Sequence, residues 1–143
     1  MAVNSSYAGD VTPRAAWAVL AQDARAQLID TRTQPEWNFV GLPDLSSLDK
    51  SALKASWQAY PAMTVDPDFV AKLKAQLPAE ADTPLYFICR SGARSRAAAI
   101  AMTEAGFKCC FNIIGGFEGD KSNQNRRGAV NGWKVDNLPW SQE

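Results

Sequence analysis

Histidine is absent from the 143-residue chain, and only three cysteines occur. Without imidazole there is no Ser-His-Asp triad, no Cys-His pair, no histidine-ligated zinc or haem and no histidine proton shuttle. Acid–base work therefore falls to carboxylates, Lys, Tyr, Cys or solvent. Charge of one sign is also lacking: 15 Lys+Arg balance 15 Asp+Glu, so nothing draws the whole chain to nucleic acid or to an anionic membrane. Any anion site has to be built locally. No stretch approaches the roughly 20 apolar residues of a membrane span. The first thirty residues lack a basic segment followed by an unbroken apolar run. A cytoplasmic protein without membrane or nucleic-acid partners is expected. The cysteine count is odd, and Cys109 and Cys110 are neighbours whose mutual bond would need a strained ring, so reduced thiols are expected rather than a disulfide framework.

What remains is an alternation of helical and strand-like segments with no repeat and no long linker, which predicts one α/β domain over residues 1–143. Thr12-Pro13 reads as cap and first position of a helix to about Gln22, with Ala16, Val19 and Leu20 on one face. Gln27-Leu28-Ile29-Asp30 is a short strand ending in a carboxylate. Thr33-Gln34-Pro35-Glu36 has capping-box spacing and opens a short helix carrying Trp37 and Val40, which Gly41 stops. Residues 42–50 read as loop, and Leu53 to Gln58 alternates as a half-buried strand. Asp66-Pro67 opens a helix with Phe69, Leu73 and Leu77 on one face, and Pro78 to Pro84 turns out of it. Leu85-Tyr86-Phe87-Ile88 predicts a central strand covered on both faces. A helix over Ser95 to Ala105, ended by Gly106, and a last strand over Phe111 to Ile114 follow. In the tail, Gly115-Gly116-Phe117-Glu118-Gly119 suggests backbone that approaches another segment closely, and Trp140 is expected to pack back onto the body.

The chemistry concentrates in Cys89-Arg90-Ser91-Gly92-Ala93-Arg94-Ser95. Cys89 stands at the carboxyl end of the buried strand, where open α/β sheets bind their ligands. A helix start supplies unpartnered amides and a partial positive charge, Gly92 lets the loop turn its N–H groups inward, and Arg90 and Arg94 add full charges beside the sulfur. Such surroundings favour thiolate over thiol, and a thiolate needs no histidine to activate it. Asp30 reads as a structural partner for a loop amide or an arginine. Arg32 and Glu36, four apart at a helix start, read as an ion pair or cap. Arg94 could either bind substrate or brace the loop. Arg96 reads as surface, Glu118, Trp133 and the Gly115-Gly116 turn as a pocket rim with core packing the alternative for Trp133, and Cys109 with Cys110 as alternating across a strand.

The segment from Cys89 to Ser95 resembles the active-site loop of the rhodanese family of sulfurtransferases. Leu28-Ile29-Asp30-Thr31-Arg32 with Thr33-Gln34-Pro35-Glu36-Trp37 is similar to that family's amino-terminal signature. Gly115-Gly116-Phe117, Asn131-Gly132-Trp133-Lys134 and Leu138-Pro139-Trp140 resemble carboxy-terminal elements of its single-domain bacterial members. One departure stands out: Gly41-Leu42-Pro43-Asp44-Leu45 replaces the Gly-His-Ile-Pro-Gly-Ala of many members. The resemblance implies a doubly wound α/β domain, with a mostly parallel sheet of about five strands flanked by helices. It also implies a ping-pong sulfurtransferase in which Cys89 takes sulfur from thiosulfate or a related small anionic donor and holds it as a persulfide. Cyanide, a thiol or a protein thiol then removes it, and neither metal nor organic cofactor is required. Amides from Arg90 to Ser95, including those of Ser91, Gly92 and Ala93, would solvate the sulfur, Arg90 and Arg94 would attract the donor's sulfonate, and Asp30 and Arg32 would support the site.

Three rivals remain in view. Cysteine phosphatases place arginine after five intervening residues, whereas here Ser95 holds that place and Arg94 follows only four, so phosphatase activity is expected to be negligible. A binding or redox-sensing module without turnover ranks lower because the cysteine and its arginines are kept. A persulfide relay between proteins uses the same loop as thiosulfate turnover. Oligomeric state is not legible.

Overall fold

The computed structural model describes residues 7–77 and 80–142, so Pro78 and Ala79, at the start of the turn expected after the third helix, lie outside the described residues. In chain order the elements are β1 (Gly9–Val11), α1 (Pro13–Gln22), β2 (Gln27–Asp30), α2 (Gln34–Phe39), β3 (Leu42–Pro43), a single 3-10 turn at Ser46–Leu48, β4 (Leu53–Lys54), β5 (Gln58–Ala59), β6 (Thr64–Val65), α3 (Phe69–Lys74), β7 (Leu85–Ile88), α4 (Ala93–Glu104), β8 (Cys110–Ile113) and β9 (Trp140–Ser141). The main sheet runs β1-β8-β7-β2-β4 with every pairing parallel.

Side chains alternate across this sheet, as strand geometry requires. Leu28, Tyr86, Ile88 and Ile113 pack with Ala16 and Leu20 of α1 and with Phe117 and Trp133 on one face. Ile29, Leu85, Phe87 and Cys110 pack with Phe69 and Leu73 of α3 and with Ala98, Ala99 and Met102 of α4 on the other. β7 is buried at all four positions because both faces are covered.

Several sequence expectations shift. β1 has no counterpart in the sequence pattern, since three residues opening on glycine carry no periodic signal. The expected loop over 42–50 contains β3, which pairs antiparallel with β9. The expected strand over 53–58 breaks into β4 and the start of a small β5–β6 hairpin, although Ala55 and Trp57 still donate their amides to the Asp30 and Thr31 carbonyls. α4 begins two residues earlier than the spacing suggested, with Gly92 as its cap at φ 125°, so Arg94 joins Ser95 in the helix's first turn rather than ending a loop. Trp140 packs back onto the body as expected, T-shaped to Phe117 at 6.2 Å and with Lys134 Nζ 3.9 Å over its ring, although it stays 41% exposed.

Candidate active site

β7 delivers Cys89 to the carboxyl edge of the sheet, and α4 begins immediately beyond. The residue is 1% exposed and lies at the base of a cavity of about 520 Å³, so a sulfur that sequence alone presents as an exposed reactive thiol is in fact reached only through that cavity. The Gly92 amide donates to Cys89 Sγ at 3.1 Å, and the Ser95 hydroxyl lies 3.2 Å from the same sulfur. Arg90, Ser91, Ala93 and Arg94 line the cavity beside the cysteine. Glu36 of α2 and Val40 at the cap just beyond it close one side, Gln58 and Met63 come from the β5–β6 hairpin, and Glu118 comes from the turn after β8.

That turn explains the glycine-rich segment. Gly116 has φ 61°, and a Cβ placed there would lie 2.5 Å from the Cys89 carbonyl oxygen and 2.6 Å from the Arg90 carbonyl, so only glycine lets the two backbones meet. The contact is sealed by the Phe117 amide on the Cys89 carbonyl at 2.8 Å and by the Glu118 and Gly119 amides on the Arg90 carbonyl. Two sequence-distant loops thus form one rigid base under the sulfur.

The arginines divide. Arg90 is exposed and faces the cavity. Arg94 forms a two-pronged pair with Glu36, at 2.7 and 2.9 Å, so it braces α2 against the nucleophile's loop. Of the two roles open to Arg94, the structure shows the brace, and the local basic charge expected beside Cys89 is reduced: Glu36 pairs with Arg94, and Glu118 lines the same cavity as Arg90. The expected pairing of Arg32 with Glu36 is likewise replaced. Arg32 turns to Asp30, where Nε and Nη2 reach the two carboxylate oxygens at 2.9 and 2.6 Å with both side chains fully buried. Nη2 also donates to the Gly41 carbonyl at 2.7 Å, and the guanidinium lies 4.3 Å over the Phe117 ring. The pair thereby ties β2, the end of α2 and the turn under Cys89 into one unit. Sequence spacing could not reveal this, because the choice between two nearby carboxylates is made by packing.

Burial alone would raise the Glu36 carboxyl, but the Arg94 guanidinium and the Thr33 amide and hydroxyl outweigh it and hold the group below its ordinary value of 4.5. A carboxyl depressed by folding adds stability above its ordinary value and loses it as the pH falls through the folded value. Glu36→Gln should lower stability by about 2 kcal/mol at neutral pH, with the wild-type and variant melting curves converging as pH drops below 4.5. Parallel curves at every pH would show that the pair contributes nothing.

Cys110 is fully buried in β8, and burial pushes its thiol up to about 11; Cys109 is half-buried, and all three thiols are free. Of the residues expected at a pocket rim, Glu118 lines the cavity, whereas Trp133 is core with its indole N–H on the Pro139 carbonyl. Arg96 is exposed and meets Tyr7. One polar residue was missed. Asn112, in the middle of the otherwise apolar β8, accepts the Ser95 hydroxyl at 2.6 Å; a lone amide at an inward strand position was the available signal. Among the described residues no group of three or more Cys, Asp or Glu side chains is placed to hold a metal, and no helix is long and apolar enough to cross a membrane.

The profile of the family described as "STR4 middle domain" matches residues 8–143. The "Uncharacterized protein RP600 homolog" of Rickettsia rickettsii is 38% identical over 125 residues, covering 87% of this chain and 90% of that protein. "Rhodanese-like domain-containing protein 4, chloroplastic" of Arabidopsis thaliana is 28% identical over 125 residues, 87% of this chain but 24% of that longer protein. "Thiosulfate sulfurtransferase GlpE" of Haemophilus influenzae is 28% identical over 110 residues, 77% of this chain and 85% of that one. Among solved structures, Rv0390 from M. tuberculosis superposes with a TM-score of 0.88 at 43% identity, over 96% of this chain and all of that one.

Proposed function

The chain belongs to the rhodanese-like family, and we propose that residues 1–143 act as one sulfurtransferase domain that moves a sulfane sulfur from thiosulfate or a related donor through a Cys89 persulfide. The observation that carries this reading is the sulfur of Cys89 at the base of a cavity, met by the Gly92 amide at 3.1 Å and backed by the start of α4. In the first half-reaction the Cys89 thiolate attacks the outer sulfur of the donor. The Cys89 Sγ–S bond forms, the donor's S–S bond breaks, and its electron pair leaves with sulfite. In the second, a thiol or cyanide attacks that outer sulfur and returns the electron pair to Cys89 Sγ. No general acid is needed for a leaving group as weakly basic as sulfite, which suits a chain without histidine.

The roles of the loop residues follow from their places. The Gly92 amide is the donor to the sulfur and the Ser95 hydroxyl lies beside it, Ser91 and Ala93 shape the wall, and Arg90 is the cation available to a sulfonate. Arg94 holds the loop to α2, and Asp30 with Arg32 holds the base beneath it. A persulfide relay from a protein donor uses the same residues, and the apolar side formed by Val40 and Met63 suits a donor bulkier than thiosulfate.

The test is intact-mass measurement after incubation with thiosulfate: one added sulfur on Cys89, removed by cyanide with formation of thiocyanate. Arg90→Ala should raise KM for thiosulfate about tenfold with little change in kcat, the signature of lost binding to one charged group. Absence of a sulfur adduct from thiosulfate and from a thiol persulfide alike would overturn the assignment.

A further inference from the structure

We propose that Asn112, held in orientation by Asp10, is a positioning residue that sets the direction of the Ser95 hydroxyl and through it the nucleophilicity of Cys89. The proposal rests on Cys89 being the sulfur-carrying nucleophile and adds a control on it that lies outside the loop.

The Ser95 oxygen has one proton and three acceptors in reach: Asn112 Oδ1 at 2.6 Å, Cys89 Sγ at 3.2 Å and the Gly92 carbonyl at 3.2 Å. Which one receives the proton is decided further along. Asp10 Oδ1 accepts from Asn112 Nδ2 at 3.1 Å and from the Tyr7 hydroxyl at 2.8 Å. An ionised carboxylate only accepts, so Asn112 must turn its NH2 toward Asp10 and its carbonyl oxygen toward Ser95. That oxygen cannot donate. Ser95 must therefore give its proton to Asn112, and it presents lone pairs to the sulfur.

An oxygen lone pair suits a thiol, which can donate its own proton, and opposes a thiolate, which needs donors. The chain Asp10–Asn112–Ser95 thus works against the Gly92 amide: one favours the neutral sulfur, the other the charged one. To solvate the thiolate, Ser95 has to leave its 2.6 Å bond to Asn112. Once Cys89 carries an outer sulfur, the negative charge moves to that atom, Sγ is neutral, and the hydroxyl returns to Asn112. The arrangement restrains the empty enzyme and suits the loaded one. Asn112 can serve this way because it is 4% exposed, inside β8, while its anchor Asp10 lies on the exposed edge strand β1.

Alkylation of Cys89 by iodoacetamide, followed by peptide mass, reads the sulfur without any transfer reaction. Asn112→Ala is expected to alkylate about tenfold faster at neutral pH, as one hydrogen bond to a charged group is regained, and its pH profile moves to lower pH. The charged groups around Cys89 are Arg90 and Arg94 on its own loop and helix, Asp30 with its partner Arg32 at the end of β2, Glu36 on α2 and Glu118 on the turn; all are kept in the variants compared. Asp10→Ala, a surface change that leaves β8 packed, should shift the profile in the same direction by less, and it stands in if Asn112→Ala fails to fold. In a Ser95→Ala background neither substitution should have any effect, since the coupling passes through that hydroxyl. Unchanged alkylation with Ser95 present, or an equal change with Ser95 removed, overturns the proposal. Sulfur loading measured on the same proteins reports separately on the sulfurtransferase reading: loading without coupling removes Asn112 from its role, and coupling without loading removes the transfer.

Discussion

Cys89→Ser is expected to reduce sulfur transfer by at least about 10³-fold while the protein keeps its melting temperature and secondary structure. The hydroxyl is a far weaker acid than the thiol, so the amide of Gly92 and the helix start have no anion to stabilise. The smaller oxygen sits in the same place and can still meet the Gly92 amide, so folding has no reason to fail. The other two cysteines cannot substitute. Cys110 is sealed in the core with its thiol held protonated to about 11, and neither Cys109 nor Cys110 lines the cavity. Steady-state assay with thiosulfate and cyanide, beside the intact mass of each protein, makes the comparison. Retained turnover in Cys89→Ser would mean that the sulfur passes through another atom.

The second large effect lies beneath the site. Asp30→Ala should destabilise the protein by roughly 3 to 5 kcal/mol, because it leaves the Arg32 guanidinium buried without its counter-charge; at this chain length that lowers the melting temperature by roughly 10 °C or more. Arg32 is fully buried, and its Nη1 has no partner among the described residues, so no other carboxylate is at hand to replace Asp30. The exposed pair of Arg25 with Asp82, 3.3 Å apart at the surface, provides the contrast: Asp82→Ala should shift melting too little to measure. Calorimetry of the three proteins decides. Equal melting temperatures for Asp30→Ala and wild type would mean that Arg32 finds water or another partner, and that the clamp between β2, Gly41 and Phe117 does not depend on the ion pair.

The two effects show how much of the protein lies open in its sequence. The run Leu85 to Ile88 states a central strand, since no half-exposed strand is apolar at every position, and the structure buries all four. Thr12-Pro13 and Thr33 with Glu36 state two helix starts, and both caps form as local hydrogen bonds demand. The loop from Cys89 through Ser95 could be read as chemistry because its residue types and spacing act over a few bonds.

Partner choice was another matter. Glu36 is four residues from Arg32, yet it meets Arg94, 58 residues away. Gly116 announced a close approach without naming Cys89 and Arg90 as the backbone approached. Two-residue strands such as β3 and β9 have no periodicity to read, and they exist because the long stretch of chain between them folds so that Leu42 meets Ser141 and Pro43 meets Trp140.

Composition and local pattern determined the α/β alternation, the buried strand, the helix caps and a histidine-free cysteine site, because each follows from interactions within a few residues. Only the tertiary structure decided that Arg94 is neutralised by Glu36, that Arg32 belongs to Asp30, that Cys89 is buried at a cavity base and that Asn112 reaches its neighbour Ser95. Those pairings are settled by which faces of distant segments the parallel sheet brings together, and by the low dielectric there, which leaves no charged or polar group without a reason to choose its partner.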